Sequence, residues 1–392
     1  MNFEIRKFST CRICLSKKLS NILLLKNMPL TDEFVTKDKI GTEFLLDINI
    51  VICKDCLTVQ TQQNINTKDY YKDYQYSVRS SIMASTYMDA VSCEIKKKYF
   101  SGKKSLKVLE IGSGDGRQLQ TFKKLGCDIL GYEPSAFLSD IANKNGINTI
   151  HGFFDDSSIN KLPKEFKSVD ILLLTYTFDH LPDPVSFLRT SKQILNDKSG
   201  LIFIEVHDLE KIFNRREYCL FEHEHSIYLT RATAQALMDK FEYYVINFDI
   251  VPENIRRANS LIFIATPKDS VFSYQRLDNI ELLEYRKISF YKGQANKIRN
   301  AIENIDKFLE MRIRQRKKVA GYGSGGRGVM SLAAIKNTSM LQYLVDKNPK
   351  GKSIYTPKSN VPVFSIDKIK EDPVDEVIVF SYGYMNEIQE EL

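Results

Sequence analysis

The chain has 392 residues, 43% of them hydrophobic and 27% charged, with a formal net charge of +7. That describes an ordinary globular protein of two or three domains. Lys and Arg are scattered rather than striped with aromatics, which excludes a nucleic-acid-binding class and leaves a mild attraction for anionic substrates. No apolar run approaches a membrane span and Met1 to Arg6 is no signal peptide, so no membrane insertion and a cytoplasmic location are expected.

Two Cys-x-x-Cys knuckles come first, Cys11-Arg-Ile-Cys14 and Cys53-Lys-Asp-Cys56. Four thiolates at that spacing make a tetrahedral zinc site, and with every position a thiolate no place is left for water, so the zinc is expected to be structural. Cys93, Cys127 and Cys219 stand alone and read as buried, inert thiols. The dense run Tyr70 to Ser81 follows. Tyr70 and Tyr71 read as a packing surface, whereas Tyr74 and Tyr76, followed by Arg79, Ser80 and Ser81, could line a polar pocket. A helix is predicted over 83–99.

Lys107 to Glu133 organises the chain. Val108, Leu109 and Ile111 form a short apolar run typical of a buried parallel strand, and Gly112, Gly114 and Gly116 follow at once. A second apolar stretch ends at Glu133, 21 positions after Gly112, where a carboxylate at a strand tip grips a ribose diol. The G-x-G-x-G spacing differs from the dinucleotide G-x-G-x-x-G. Glu110 and Asp115 beside the loop would repel a pyrophosphate but suit a sulfonium and an amino group. The cofactor read here is S-adenosylmethionine rather than NAD.

Helix and strand alternate onward, through a strand over 148–154 that sets Phe153 and Phe154 beside the adenosine, and a strand over 169–175. The latter runs into Phe178-Asp-His180-Leu-Pro-Asp, and ligands in open α/β sheets sit beyond the carboxyl ends of strands, so His180 is placed at the active-site mouth. A strand over 201–206 brings His207 to the same rim. Phe221-Glu-His-Glu-His225 is dense in titratable groups. If extended, His223 and His225 share one face and Glu222 and Glu224 the other. A carboxylate adjoining an imidazole makes a general base, and a histidine and glutamate metal site is the competing chemistry.

Ile288, Tyr291, Ala295, Ile298, Ile302, Ile305 and Leu309 recur at three and four, giving one apolar helical face to pack on the domain. Val319-Ala320 opens a second fingerprint, Gly321-x-Gly323-x-x-Gly326, with Asp346 lying 20 positions beyond it.

Taken together, the knuckles, the Tyr74 to Ser81 run, the glycine strand, the F-D-H-L-P-D loop, the E-H-E-H cluster and the Gly321 to Gly328 and Val345-Asp346 blocks resemble the sugar C-methyltransferases acting on nucleotide-linked keto-deoxysugars. The resemblance implies an α/β protein of three parts. These are a zinc-binding module over 1–82, a class I methyltransferase Rossmann-like sheet over 83–250 and a C-terminal Rossmann-like substrate domain over 251–392, which helps hold the nucleotide sugar. It implies His225 as base, Glu224 beside it, and His180 and Tyr76 facing the sugar. Glu222 departs from the pattern, since a tyrosine is usual there. His223 and Glu222 stay open as further catalytic groups. The cofactor side comprises Glu110, Gly112, Gly114, Gly116, Glu133 and Phe154; the partner is a nucleotide-linked sugar, and a monomer is expected. An O-methyltransferase acting on a sugar or glycan, and a non-catalytic binding protein, are the alternatives.

Overall fold

The computed structural model describes residues 3–392 except 32, 67–70, 72–73, 75–76, 258, 281–286, 350, 352 and 381–384. At its centre lie seven strands: β1 (Lys107–Ile111), β2 (Asp128–Glu133), β3 (Thr149–His151), β4 (Ile171–Thr175), β5 (Leu201–His207), β6 (Tyr243–Phe248) and β7 (Ser260–Pro267). Across the sheet they run β3-β2-β1-β4-β5-β7-β6, with β7 antiparallel to both neighbours. The sheet therefore extends past residue 250, the expected end of this region, to collect β7.

Continuous apolar runs such as Ile-Leu-Leu-Leu in β4 bury both faces, and the alternate residues go to separate cores. Leu172 and Leu174 meet Phe187 and Leu188 of α4 (Pro184–Ile194). Ile171 and Leu173 meet Val91 and Ile95 of α1 (Ile82–Tyr99), which starts at the expected place behind a Ser81 cap. The third strand is shorter than its predicted span, since Gly152 takes a φ of +147° and ends the pairing.

The outer parts are sewn into this centre. The knuckles flank an antiparallel sheet of Leu19–Met28, Leu46–Cys53 and Val59–Thr61, and its edge is completed by Ile227–Tyr228, just after the Glu222 to His225 cluster. Cys11, Ile13 and Cys53 belong to the same core as β1 and β4. The predicted long helix forms as α7 (Ile288–Arg314), burying Tyr291, Ala295, Ile298 and Leu309. Its apolar face meets Ile22, Leu23 and Phe213, so it clasps the cysteine module as well as its own region. The second fingerprint makes strand Val319–Tyr322 and α8 (Gly326–Ala334) in a six-stranded sheet, whose far edge is Val35–Thr36. Gly328 is required there, because a Cβ would stand 1.9 Å from the Gly323 carbonyl.

Among the described residues no helix is long and apolar enough to cross a membrane.

Candidate active site

The loop after β1 turns because Gly112, Gly114 and Gly116 all take positive φ. A Cβ on Gly112 would lie 2.4 Å from the Thr177 hydroxyl, and one on Gly116 would strike Ile147 at 2.7 Å, so both places need glycine. Beyond the loop opens a cavity of about 670 Å³ lined by Glu110, Gly112, Gly114, Glu133 and Phe154 among others. Gly116 shapes the turn from behind, at the N-terminus of α2 (Arg117–Lys124).

Glu133, at the tip of β2, accepts hydrogen bonds from the amides of Gly114 and Ser135, each at 2.7 Å. Burial pushes its carboxyl up to about 7, against those two donors. Glu110 is buried more deeply, and desolvation, reinforced by Asp115 and Glu133, pushes it well above the usual carboxylate range. Its Oε2 has no partner among the described residues. The cavity thus offers an unsatisfied acceptor beside the glycine loop, which a cationic or N–H group would satisfy. Phe154 stands edge-on to Tyr132, centroids 5.3 Å apart, making an apolar wall for a flat ring. These features fit an adenosyl amino acid. Asp115, buried and also on the cavity wall, is already engaged, accepting from Ser77 and from the Arg117 amide and pairing with Arg79 at 3.6 Å. Arg79 therefore does not join the cavity-lining residues, as the tyrosine run had suggested.

Beside the cavity three imidazoles meet. The His225 ring lies 4.6 Å from that of His180 and 4.6 Å from that of His207. His180 lines the cavity and His225 stands behind it, fully buried. The His225 Nδ1 contacts the Leu220 carbonyl at 2.9 Å; a carbonyl only accepts, so Nδ1 carries a proton, and in the neutral ring the lone pair is then on Nε2. The tautomer is thus fixed by Leu220 rather than by Glu224, the expected partner. The carboxylate nearest Nε2 belongs to Glu222, at 3.8 Å. Glu224 is buried; burial, reinforced by the charge of Glu224, pushes the Tyr71 hydroxyl well above its usual range.

His180 and His207 are driven down to about 3 and 4, first by burial and then by the neighbouring His225, so both are neutral near pH 7. Burial alone would raise Asp179, but the hydrogen bond from His207 at 2.9 Å and the surrounding imidazoles hold it far below the carboxylate range. Asp179 had not been singled out, although it adjoins His180 in the loop. Its other oxygen, Oδ1, has no partner among the described residues. Asp179, His180 and His225 each offer one donor atom within 4.8 Å of the others.

The sequence misread two residues. Tyr71, expected as packing, lines the cavity and its hydroxyl meets His180 Nδ1 at 2.8 Å. His223 does not share a face with His225, because residues 223–224 form a turn and not a strand. Its Nε2 donates to the Met28 carbonyl at 2.9 Å, toward the cysteine module. Tyr74 lines the cavity as expected, while Tyr70 and Tyr76 lie outside the described residues.

His223 is a pH-sensitive structural group. Burial holds its imidazole down to about 4, against about 6.5 when unfolded. Between those values the unfolded chain binds a proton that the native chain does not, so stability is lost as pH falls through that window. His223→Gln is expected to reduce the acid-side loss by up to about 3 kcal/mol, read as a smaller drop in urea-unfolding stability from about pH 7 to about pH 4. An unchanged slope would show that His223 does not carry this linkage.

At the knuckles, Cys11 Sγ lies 3.5 Å from Cys56 Sγ, and Cys14 Sγ lies 3.5 Å from Cys53 Sγ. All four sulfurs fall within 4.8 Å of one another, which brackets the roughly 3.8 Å edge of a tetrahedron with zinc–sulfur bonds of about 2.3 Å. The S–H of Cys11 holds Cys56 down to about 5, while the same contact and burial drive Cys11 up. So crowded a set of thiols is satisfied by a thiophilic cation. Cys93, by contrast with Cys127 and Cys219, is exposed.

Comparison with known proteins agrees with this anatomy. Residues 11–71 match the family described as "Putative zinc binding domain", residues 86–248 the "Methyltransferase domain" and residues 273–392 the "C-methyltransferase C-terminal domain". C-methyltransferase NovU of Streptomyces niveus is 22% identical over 393 residues, covering 98% of this chain and 92% of the relative. Among solved structures, plantazolicin methyltransferase BpumL in complex with SAH is 16% identical with a TM-score of 0.38, over 48% of this chain and 86% of that one. The PH0226 protein from Pyrococcus horikoshii OT3 is 18% identical with a TM-score of 0.39, over 51% of this chain and 99% of that one.

The chain is a methyltransferase that uses S-adenosylmethionine. More particularly, the succession of matches to a zinc-binding domain, a methyltransferase domain and a C-methyltransferase C-terminal domain supports a C-methyltransferase.

Proposed function

We propose that the protein methylates carbon on a nucleotide-linked keto-deoxysugar, with His225 removing a proton next to the carbonyl. The observation that carries this reading is the pinned tautomer: with Nδ1–H on the Leu220 carbonyl, Nε2 of His225 is the basic atom, held rigidly beside His180. Bound S-adenosylmethionine supplies an electrophilic methyl group. His225 takes the proton, the carbon–hydrogen pair of electrons becomes the enolate, and the enolate carbon forms the new bond to the methyl as the carbon–sulfur bond breaks. The proton then leaves His225 for solvent. Glu222, within 3.8 Å of Nε2, favours the imidazolium that forms, a part the usual tyrosine would not play.

Support for a nucleotide-linked substrate comes from the C-terminal region, where Arg327 of α8 is held 3.5 Å from Glu217 and its positive charge reaches Tyr176 and His207. A cation beside the imidazole cluster suits an anionic substrate. The cavity would hold the cofactor through Gly112, Gly114, Glu110 and Phe154, with the ribose on Glu133. Glu133→Ala is expected to weaken S-adenosylmethionine binding by about 1–3 kcal/mol, measured by calorimetry. Undiminished affinity would remove Glu133 from the ribose.

The reading is tested by offering nucleotide-linked keto-deoxysugars in deuterium oxide with S-adenosylhomocysteine bound. Exchange at the carbon beside the carbonyl, without methylation, is the expected result. Methylation of a hydroxyl on a sugar lacking any ketone would replace it with O-methyl transfer.

A further inference from the structure

Asp179 lies in the Phe178–His180 turn, 2% exposed, with its side chain in the imidazole cluster. One oxygen, Oδ2, accepts from the Nδ1–H of His207 at 2.9 Å and from the His207 amide at 3.3 Å. The other, Oδ1, has no partner among the described residues. A carboxylate oxygen of Asp179, a ring nitrogen of His180 and a ring nitrogen of His225 all lie within 4.8 Å of one another. The turn is also fixed to the segment that carries His225. There the Asp179 carbonyl accepts from the amide and the hydroxyl of Ser226, at 2.7 and 3.0 Å.

A buried carboxylate with one oxygen unsatisfied is costly at rest. Its ion-pair contact among the described residues is His207, which is neutral near pH 7, so the resting cluster holds a negative charge without a cation against it. A proton arriving on His225 supplies that cation. Two other carboxyl groups face the cluster. Burial pushes up Glu205 of β5, and the Glu222 side chain is 14% exposed against 3% for that of Asp179. Water therefore screens the charge of Asp179 least.

We infer that Asp179 is a positioning residue for proton abstraction: its fixed carboxylate favours the imidazolium that forms on His225 and holds the His207 ring beside it. The inference rests on the reading of His225 as the base and adds the charge that helps it. The substrate's proton passes to Nε2 of His225; Asp179 takes none and stays ionised.

The test is Asp179→Asn on the full chain, which keeps the shape and an acceptor for His207 but removes the charge. With S-adenosylhomocysteine bound, exchange in deuterium oxide at the carbon beside the carbonyl of a nucleotide-linked keto-deoxysugar is expected to fall about 10- to 100-fold. Affinity for S-adenosylhomocysteine and the half-saturating sugar concentration should stay within about threefold, a separation that a merely structural role would not give. Asp179→Glu keeps the charge and should exchange within about tenfold of the parent, which carries the test if the asparagine variant does not fold. His207→Gln leaves the charge in place and should lose less than Asp179→Asn. Parental exchange in Asp179→Asn overturns the inference. So does a glutamate variant that binds S-adenosylhomocysteine yet exchanges more than about 100-fold below the parent, or an equal loss in His207→Gln, which would reduce Asp179 to a support for that ring. A parent protein that binds the sugar but exchanges no proton would instead sink the base reading, and the inference with it.

Discussion

His225→Gln is expected to lower methyl transfer by about 10²- to 10⁴-fold, the usual contribution of a positioned general base, while affinity for S-adenosylhomocysteine stays near the parent's. The separation follows from geometry: the contacts of His225 are with the Leu220 carbonyl and the rings of His180 and His207, not with Glu110, Gly112, Gly114 or Glu133, which would hold the cofactor. Glutamine can keep a donor for the Leu220 carbonyl but has no basic nitrogen, so the loss reports chemistry more than packing. His223→Gln is the control, since His223 is spent on the Met28 carbonyl and should leave the rate near that of the parent. Measured rates with solvent deuterium exchange decide the assignment. If His225→Gln still exchanges while His180→Gln does not, the base is His180, which lines the cavity directly.

Cys53→Ser is expected to reduce bound zinc from one equivalent per chain toward none and to destabilise the protein by several kcal/mol, since metal binding at such sites is folding free energy. Activity should fall with it, because the knuckle is tied to both histidine segments. Arg12, inside the first knuckle, donates to the Thr61 carbonyl at 3.0 Å and to the Pro182 carbonyl at 3.2 Å, two residues beyond His180. Thr61 in turn donates its hydroxyl to the His225 carbonyl at 2.7 Å. Metal analysis with chemical denaturation checks this. Zinc-free protein of parental stability would contradict a structural role, and two equivalents per chain would point to occupancy of the Asp179, His180 and His225 donors and a metal-assisted reaction.

Local features were legible in the chain. The alternation of short apolar runs with helical spans marked the five parallel strands of the central sheet, because strands buried on both faces must be apolar throughout, while Tyr243–Phe248 and Ser260–Pro267 were not read from it. The glycine loop and Glu133 could be read because a tight turn and a strand tip are fixed by their own neighbours in sequence. The same holds for the knuckles, where each pair of ligands sits on one turn, and for α7, whose periodic face needed only something to cover it.

What surrounds each functional side chain was settled by tertiary structure. Spacing left His223 and His225 equivalent; the turn at residues 223–224 sends one to Met28 and the other to the imidazole cluster. Asp179 and His207 lie 28 positions apart yet share a hydrogen bond, since β4 and β5 are adjacent parallel strands that end together. Tyr71 and Arg257 carry no motif, and they reach the cavity from opposite sides of the methyltransferase region in sequence. Residue type and period are properties of a short stretch, so the chain alone determined elements, loops and ligand classes. Which nitrogen is basic and which carboxylate lacks a partner depend on groups brought together from distant segments, so only the folded chain decided them.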